Sequence, residues 1–102
     1  MNIRVNTMIE NENAAALAEL FSAFSDASRL KIISVLANAE LNVSSIADQV
    51  GLSESATSHH LRGLRQMGLV RAKKVGRQVF YSLLDEHVLQ LYRIGKEHIL
   101  HG

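Results

Sequence analysis

Residues 43–83 decide the fold, and they read VSSIADQVGLSESATSHHLRGLRQMGLVRAKKVGRQVFYSL. The spacing of apolar residues predicts a short helix over 43–50, which Gly51 ends. Ser53 is a good cap for a second helix, predicted over 54–67. Two helices joined by a three-residue turn that contains glycine are typical of a helix-turn-helix.

The apolar period changes from helical to alternating after Gly68. Residues 69–74 and 78–83 are β-prone, and they flank the turn signal Val75-Gly76-Arg77. This pattern predicts a β-hairpin. A basic hairpin directly after a helix-turn-helix is the arrangement called a wing.

Outside this stretch the chain is predicted to be helical. Two amphipathic helices are expected upstream, over 12–24 and 27–38, and Asp85 begins a last helix that runs close to the C-terminus. With 102 residues the chain is long enough for one domain and not two. The predicted fold is therefore mainly α with a small β-hairpin, a single winged helix-turn-helix domain over residues 1–102.

Charge is unevenly distributed along the chain. Residues 1–54 carry a net charge of −4 and residues 85–102 a net charge of −1. Residues 55–84 contain no carboxylate and six basic side chains: Arg62, Arg65, Arg71, Lys73, Lys74 and Arg77. Such a stretch is a candidate footprint for a polyanion, and the alternative is a solvated basic face without a partner.

Composition excludes several classes of protein. The chain has no cysteine, so disulfides, thiolate metal sites and thiol redox sensing are excluded. No apolar run reaches the roughly 18 residues of a membrane helix, and the first twenty residues are too polar and acidic for a signal peptide. We therefore expect a cytoplasmic protein without a membrane partner.

The predicted helix over 54–67 has one polar face. Ser55, Ser58 and His59 share this face near the helix N-terminus, where recognition helices reach base edges in the major groove of double-stranded DNA. The opposite face carries Thr57, Leu61 and Leu64. We expect backbone and wing contacts from the basic residues Arg62, Arg65, Lys73, Lys74 and Arg77.

Two residues of this helix fit the DNA-binding interpretation less directly. Glu54 would be repelled by phosphates, although it can complement the positive end of the helix dipole or accept from a cytosine amine. His60 points toward the flank of the buried face and is interpreted as structural. An ordinary amphipathic helix would explain residues 54–67 alone, but not the turn, the basic hairpin and the charge segregation together.

Three of the five histidines lie in the last sixteen residues. The pattern is Asp85-x-His87, then ten residues, then His98-x-x-His101. His87 and His98 share a helix face, because eleven residues turn about 20° more than three full turns. Asp85 and His87 can converge only if Asp85 is the helix cap, with non-helical dihedral angles.

One helix cannot bring these four side chains to one ion, because the two pairs are about 16 Å apart along its axis. An antiparallel second copy of the helix can, with Leu91 and Ile94 packed between the two copies. A homodimer would then hold two identical sites of one carboxylate and three imidazoles, a set that suits tetrahedral zinc and also cobalt(II). Four protein ligands leave no position for a catalytic water, so no enzyme and no small organic substrate are expected.

Two other interpretations stay open. In the first, the chain is a winged-helix repressor whose histidines are structural, complementing the helix dipole, with a different effector or none. In the second, it is a zinc-dependent enzyme or a protein-binding winged helix, which predicts an open metal position or an exposed apolar patch. The carboxylate-free basic stretch favours a DNA-binding protein over either an enzyme or a protein-binding domain.

The segment FSAFSDASRLKIISVL, residues 21–36, together with residues 43–83, resembles the ArsR/SmtB family of metal-responsive repressors. The resemblance implies homodimers joined through their first and last helices, which usually leave the operator when the effector binds. Asp85, His87, His98 and His101 match the last-helix site of the zinc/cobalt-sensing branch. Sensors of arsenic, cadmium and lead carry cysteines in the third helix, where this chain has LNVSS. The resemblance therefore implies control of metal efflux or homeostasis genes by zinc.

Overall fold

The structure is a computed structural model, and it describes residues 8–102. Its helices and strands follow the predicted order, with one additional short strand before the third helix. The elements are α1 (Asn11–Ala23), α2 (Ala27–Leu36), β1 (Leu41–Asn42), α3 (Val43–Val50), α4 (Glu54–Gln66), β2 (Val70–Val75), β3 (Gln78–Leu83) and α5 (Glu86–His101). The predicted mainly α fold with a small hairpin is confirmed.

Side-chain caps begin α2, α3, α4 and α5, whereas Glu10 at the start of α1 makes no side-chain cap. The Asp26 carboxylate accepts from the backbone N–H of Arg29 at 3.0 Å and so begins α2. The Ser53 hydroxyl accepts from the N–H of Ala56 at 3.0 Å and begins α4. These caps satisfy N–H groups that have no partner within the helix.

Gly51 makes the turn between α3 and α4. Its φ of 76° and ψ of 34° are left-handed, a conformation that costs other residues energy. The N–H groups of Gly51 and Leu52 both donate to the carbonyl of Ala47, at 2.9 and 3.1 Å. This ending of α3 leaves only Leu52 and Ser53 before α4 begins, and it fixes the angle between the two helices.

The strands form an antiparallel sheet in the order β1-β3-β2. The β2–β3 hairpin closes between Val75 and Gln78, with a glycine at positive φ, Gly76, as the first of the two turn residues. On the other side of β3, Leu41 pairs with Tyr81 and Asn42 with Phe80. The strand β1 was not predicted, because two residues carry no periodic pattern.

The core lies between α2, α3, α4 and the base of the hairpin. Its fully buried large side chains are Ile32, Ile33, Ile46, Leu61, Leu64, Leu69 and Val70. The first and last helices contribute little to it: Ala23 is the buried residue of α1, and Val88 that of α5. Much of the apolar surface of α1 and α5 therefore remains outside the core.

Candidate functional site

The helix α4 has the predicted two faces. Thr57, Leu61 and Leu64 are fully buried against the core. On the other side Ser55, His59 and Arg62 are exposed, while Ser58 is half-buried at the edge of the polar face. The burial of the three inner side chains orients the helix so that this polar face points away from the protein. The assignment of individual base contacts remains a prediction.

The hairpin that follows α4 in the sequence is also positively charged. Lys73 and Lys74 are both exposed on β2, and because they are consecutive they project from opposite faces of the hairpin. Arg77 is exposed in the turn at the hairpin tip, and Arg65 is exposed in the last turn of α4. Because residues 55–84 contain no carboxylate, the formal charges on α4 after Glu54 and on the hairpin are all positive.

His60 and Glu54 are the two residues of α4 that fit DNA binding less directly. His60 is half-buried, and its ring lies edge-on to that of His59, with centroids 6.1 Å apart. Its Nδ1 atom is buried and has no hydrogen-bond partner in the part of the chain that is described. Glu54 lies in the first turn of α4, where a carboxylate complements the helix dipole.

At the start of α5 the two predicted metal ligands lie side by side. Asp85 is the N-cap, with extended backbone angles, and its Oδ1 atom accepts from the N–H groups of His87 and Val88 at 2.9 and 3.2 Å. Its Oδ2 atom lies 3.6 Å from Nδ1 of His87. The cap conformation thus turns two side chains that would diverge inside a helix toward each other, as predicted.

The hydrogen bonds at this cap also affect the charge of the carboxylate. The backbone N–H of Val88, and then the backbone and ring of His87, lower the pKa of Asp85 below its ordinary value. The side chain is solvent-exposed, so this effect is partly screened. Asp85 is accordingly ionised at neutral pH, as a metal ligand must be.

The second predicted pair lies in the last turn of α5. His98 and His101 are both exposed there, one helical turn apart. Over residues 8–102 no three side chains of histidine, aspartate or glutamate come close enough to hold one ion. The two predicted pairs thus lie at opposite ends of α5.

An apolar groove of about 500 Å³ lies between α1, α2 and α5. Its lining residues are Phe21, Phe24, Leu30, Leu91, Tyr92, Gly95, Lys96, Ile99 and Leu100. Phe21 is 49% exposed and Ile99 81% exposed, so two large apolar side chains face solvent along this groove. The packing between copies of α5 that the sequence predicts includes only Leu91 of these residues, although the helical period of α1 contains Phe21 and Phe24.

A helix-turn-helix followed by a basic hairpin defines a winged helix-turn-helix DNA-binding protein. A family model for the arsR family of bacterial regulatory proteins matches residues 26–72. The chain is 49% identical over 88 residues to a transcriptional repressor SmtB homolog of Synechocystis sp., which covers 86% of this chain and 67% of that protein. The chain therefore belongs to the ArsR family.

Two further comparisons agree with this. A homolog of the cadmium resistance transcriptional regulatory protein CadC from Staphylococcus aureus is 40% identical over 89 residues, covering 86% of this chain and 74% of that protein. A homodimeric winged helix-turn-helix DNA-binding domain from Mycobacterium bovis superposes with a TM-score of 0.79 at 28% identity, over 95% of this chain and 96% of that one.

These findings confirm the predicted family and the winged-helix fold. They also confirm that the chain is a DNA-binding transcriptional regulator and not an enzyme. None of the helices that the structure describes is long and apolar enough to cross a membrane.

Proposed function

We propose that this chain is a metal-responsive transcriptional repressor. Its homodimer binds operator DNA, and zinc or cobalt(II) bound between the subunits lowers its DNA affinity and so derepresses metal efflux or homeostasis genes. The observation that carries the proposal is the pair of half-sites on α5: Asp85 with His87 at one end, and His98 with His101 at the other. In this proposal residues 1–102 form one winged-helix domain whose last helix both dimerises and binds metal.

The Asp85–His87 pair fits a tetrahedral ion. Two donors about 2.1 Å from such an ion lie about 3.4 Å apart. Asp85 Oδ2 and His87 Nδ1 lie 3.6 Å apart in the structure. The Oδ1 atom of Asp85 is occupied by backbone N–H groups, so Oδ2 is the oxygen that is left to coordinate a metal. Bound zinc would supply a positively charged crosslink between the two subunits.

The apolar groove supports the dimer that completes each site. A second copy placed antiparallel along α5 brings its own His98 and His101 to the Asp85–His87 pair, and it covers Leu91 and Ile94. The same arrangement buries Phe21 and Ile99, which are otherwise exposed. The Mycobacterium bovis domain with the same fold is described as homodimeric.

The proposed DNA contacts follow from the exposed faces of α4 and the hairpin. Ser55, Ser58 and His59 read base edges in the major groove. Contacts to the phosphates come from Arg62, Arg65, Lys73, Lys74 and Arg77, which supply most of the affinity and all of its salt dependence.

The α5 helices link metal binding to DNA binding. In a dimer they determine how far apart the two α4 helices lie, and both α4 helices must fit successive major grooves. Ligands drawn from both subunits fix one arrangement of the α5 pair, and we propose that this arrangement does not fit both half-sites. A coupling of about 1–3 kcal/mol changes operator affinity by 5–150-fold. The direction of the effect, release by metal, rests on the family resemblance.

A cobalt(II) titration combined with a DNA-binding assay tests the proposal. The probe is an operator selected from random duplexes by the metal-free protein. We expect the intense visible absorption of tetrahedral cobalt(II) at one ion per subunit, and a fall in operator affinity when zinc is added. The His98→Ala variant should bind the same DNA without responding to zinc. Unchanged DNA affinity of the wild-type protein with zinc would contradict the proposal.

A further inference from the structure

Asn42 joins the helix-turn-helix to the wing through one side chain. Its Oδ1 atom accepts from the backbone N–H of Ser45 at 2.9 Å and caps α3. Its Nδ2 atom donates to Oε1 of Gln78 at 2.8 Å, across 36 residues of sequence. Because the cap requires an acceptor, the amide can adopt only this orientation, and the NH₂ group must face Gln78.

The register of the sheet explains how this contact forms. Asn42 is paired directly with Phe80, and Gln78 lies two residues earlier on β3, on the same face of the sheet. Diagonal neighbours of this kind are within reach of a long side chain. The strand β1 has only two residues, so the backbone pairing between it and β3 is short. The Asn42–Gln78 bond extends that link toward the hairpin tip.

The position of Gln78 makes this link relevant to DNA binding. Gln78 is the first residue of β3 and follows Arg77, the exposed cation of the hairpin turn. The cap at Asn42 is at the start of α3, which leads through Gly51 into α4. A single side chain thus connects the first helix of the helix-turn-helix to the residue beside the tip of the wing.

We propose that Asn42 is a positioning residue that holds the wing in place relative to α4, so that Arg77 and the bases read by α4 engage the same operator. This inference rests on the proposed DNA-binding function. It assigns to Asn42 and Gln78 a role that is separate from helix capping and from direct contact with DNA.

A double-mutant cycle tests the role. Asn42→Ser keeps a capping oxygen but is too short to reach Gln78, and Gln78→Thr keeps a β-prone residue without the distant amide. We expect each single variant to bind operator about 3–10-fold more weakly, the range of one hydrogen bond. The double variant should bind no more weakly than the weaker single variant. Additive losses would overturn the proposal, because they would mean that the two residues act independently.

Two further measurements separate this role from other causes. Asn42→Ala removes the cap as well as the link, so it should lower the urea midpoint of unfolding by more than Asn42→Ser, which removes the link alone. In the free protein, ¹⁵N relaxation should show larger motion of residues 76–78 in Asn42→Ser than in the wild type. Unchanged relaxation would contradict the proposal even if the wild-type protein failed to bind DNA, so the two failures are distinguishable.

Discussion

At the scale of single residues, Asp85 combines two tasks in one carboxylate. One oxygen caps α5 by accepting from two backbone N–H groups, and the other faces the ring of His87. Both tasks could be predicted from the sequence, because a cap conformation is the only way to bring residues at i and i+2 together. Capping by Oδ1 stabilises the helix, and the proposed metal coordination uses Oδ2. Substitutions of Asp85 can therefore separate the effect on stability from the effect on metal binding.

We expect Asp85→Ser to lose metal affinity without losing stability. Serine is as good a cap as aspartate but offers no carboxylate, whereas Asp85→Ala should lower the free energy of unfolding by about 1 kcal/mol. Urea unfolding and cobalt(II) titration of both variants measure the two effects. A serine variant that binds cobalt(II) as tightly as the wild type would exclude Asp85 from the ligand set.

The lowered pKa of Asp85 predicts a pH dependence. Because the folded-state pKa lies below that of the unfolded chain, the stabilisation is fully present above the unfolded value and is lost as pH falls through the folded value. A carbon-detected NMR titration of the Asp85 carboxyl follows this pKa directly, and its midpoint should lie below the ordinary value of an aspartate. In Val88→Pro, which lacks the main N–H donor, the midpoint should rise; an unchanged midpoint would contradict this cause.

Some of the proposed DNA contacts are to phosphates and others are to bases, so their variants should lose DNA affinity in different ways. Lys73→Ala should weaken binding to all sequences alike and reduce the salt slope of binding by about 1, because it removes a phosphate contact. His59→Ala should weaken binding mainly to the selected operator and leave the salt slope almost unchanged. Titrations at several salt concentrations, with operator and with scrambled DNA, distinguish the two patterns. Identical patterns would contradict the assignment.

At the scale of elements, capping and turn residues explain why most boundaries could be predicted. Ser53 and Asn42 begin α4 and α3, each by a hydrogen bond to the backbone N–H three residues further on. Gly51 ends α3 because its own backbone adopts left-handed angles. The strand β1 could not be predicted, because it exists only through pairing with Phe80 and Tyr81, about forty residues away. Contacts that are distant in sequence leave no local pattern.

Replacing Gly51 tests the geometry of the turn. Gly51→Ala should destabilise the protein by about 1–2 kcal/mol, because the left-handed conformation brings Cβ close to the following carbonyl. Beyond its two chain neighbours, a Cβ at Gly51 would meet no atom within 4 Å, so tertiary packing adds nothing to this effect. Gln49→Ala, on the exposed face of α3, is the matched control and should change the unfolding free energy little. Equal effects of the two variants would contradict the assigned role of the turn.

At the scale of the whole molecule, the metal half-sites and the apolar groove lie on the same helix. The structure places Asp85 and His87 at the start of α5 and His98 and His101 in its last turn, so the proposed site needs ligands from a second copy of the chain. The extent of the groove could not be predicted, because it depends on how α1 and α5 lie against each other. A second copy of the chain would supply the missing metal ligands and would also cover the groove, so both features favour a dimer.

Charge placed in the groove should prevent association. We expect Phe21→Lys to sediment as a monomer at concentrations where the wild type is a dimer, because the lysine would have to be buried without a partner. Val79→Lys on β3 is the matched control: it also replaces an exposed apolar residue, but outside the groove, and it should stay dimeric. Dimers of Phe21→Lys with unchanged affinity would place the interface elsewhere.

The central claim is that each metal site takes ligands from two subunits, and complementation tests it most directly. One variant lacks Asp85 and His87, and the other lacks His98 and His101, all replaced by alanine. Neither homodimer contains a complete site, but a heterodimer of the two contains one. After unfolding and refolding of an equimolar mixture, about half of the dimers should be heterodimers.

Cobalt(II) absorption is the measurement. We predict weak absorption from either variant alone and the tetrahedral spectrum from the mixture, at about one ion for every two dimers. A mixture that absorbs no more than its separate components would contradict ligand sharing between subunits. So would a tetrahedral spectrum from either variant alone.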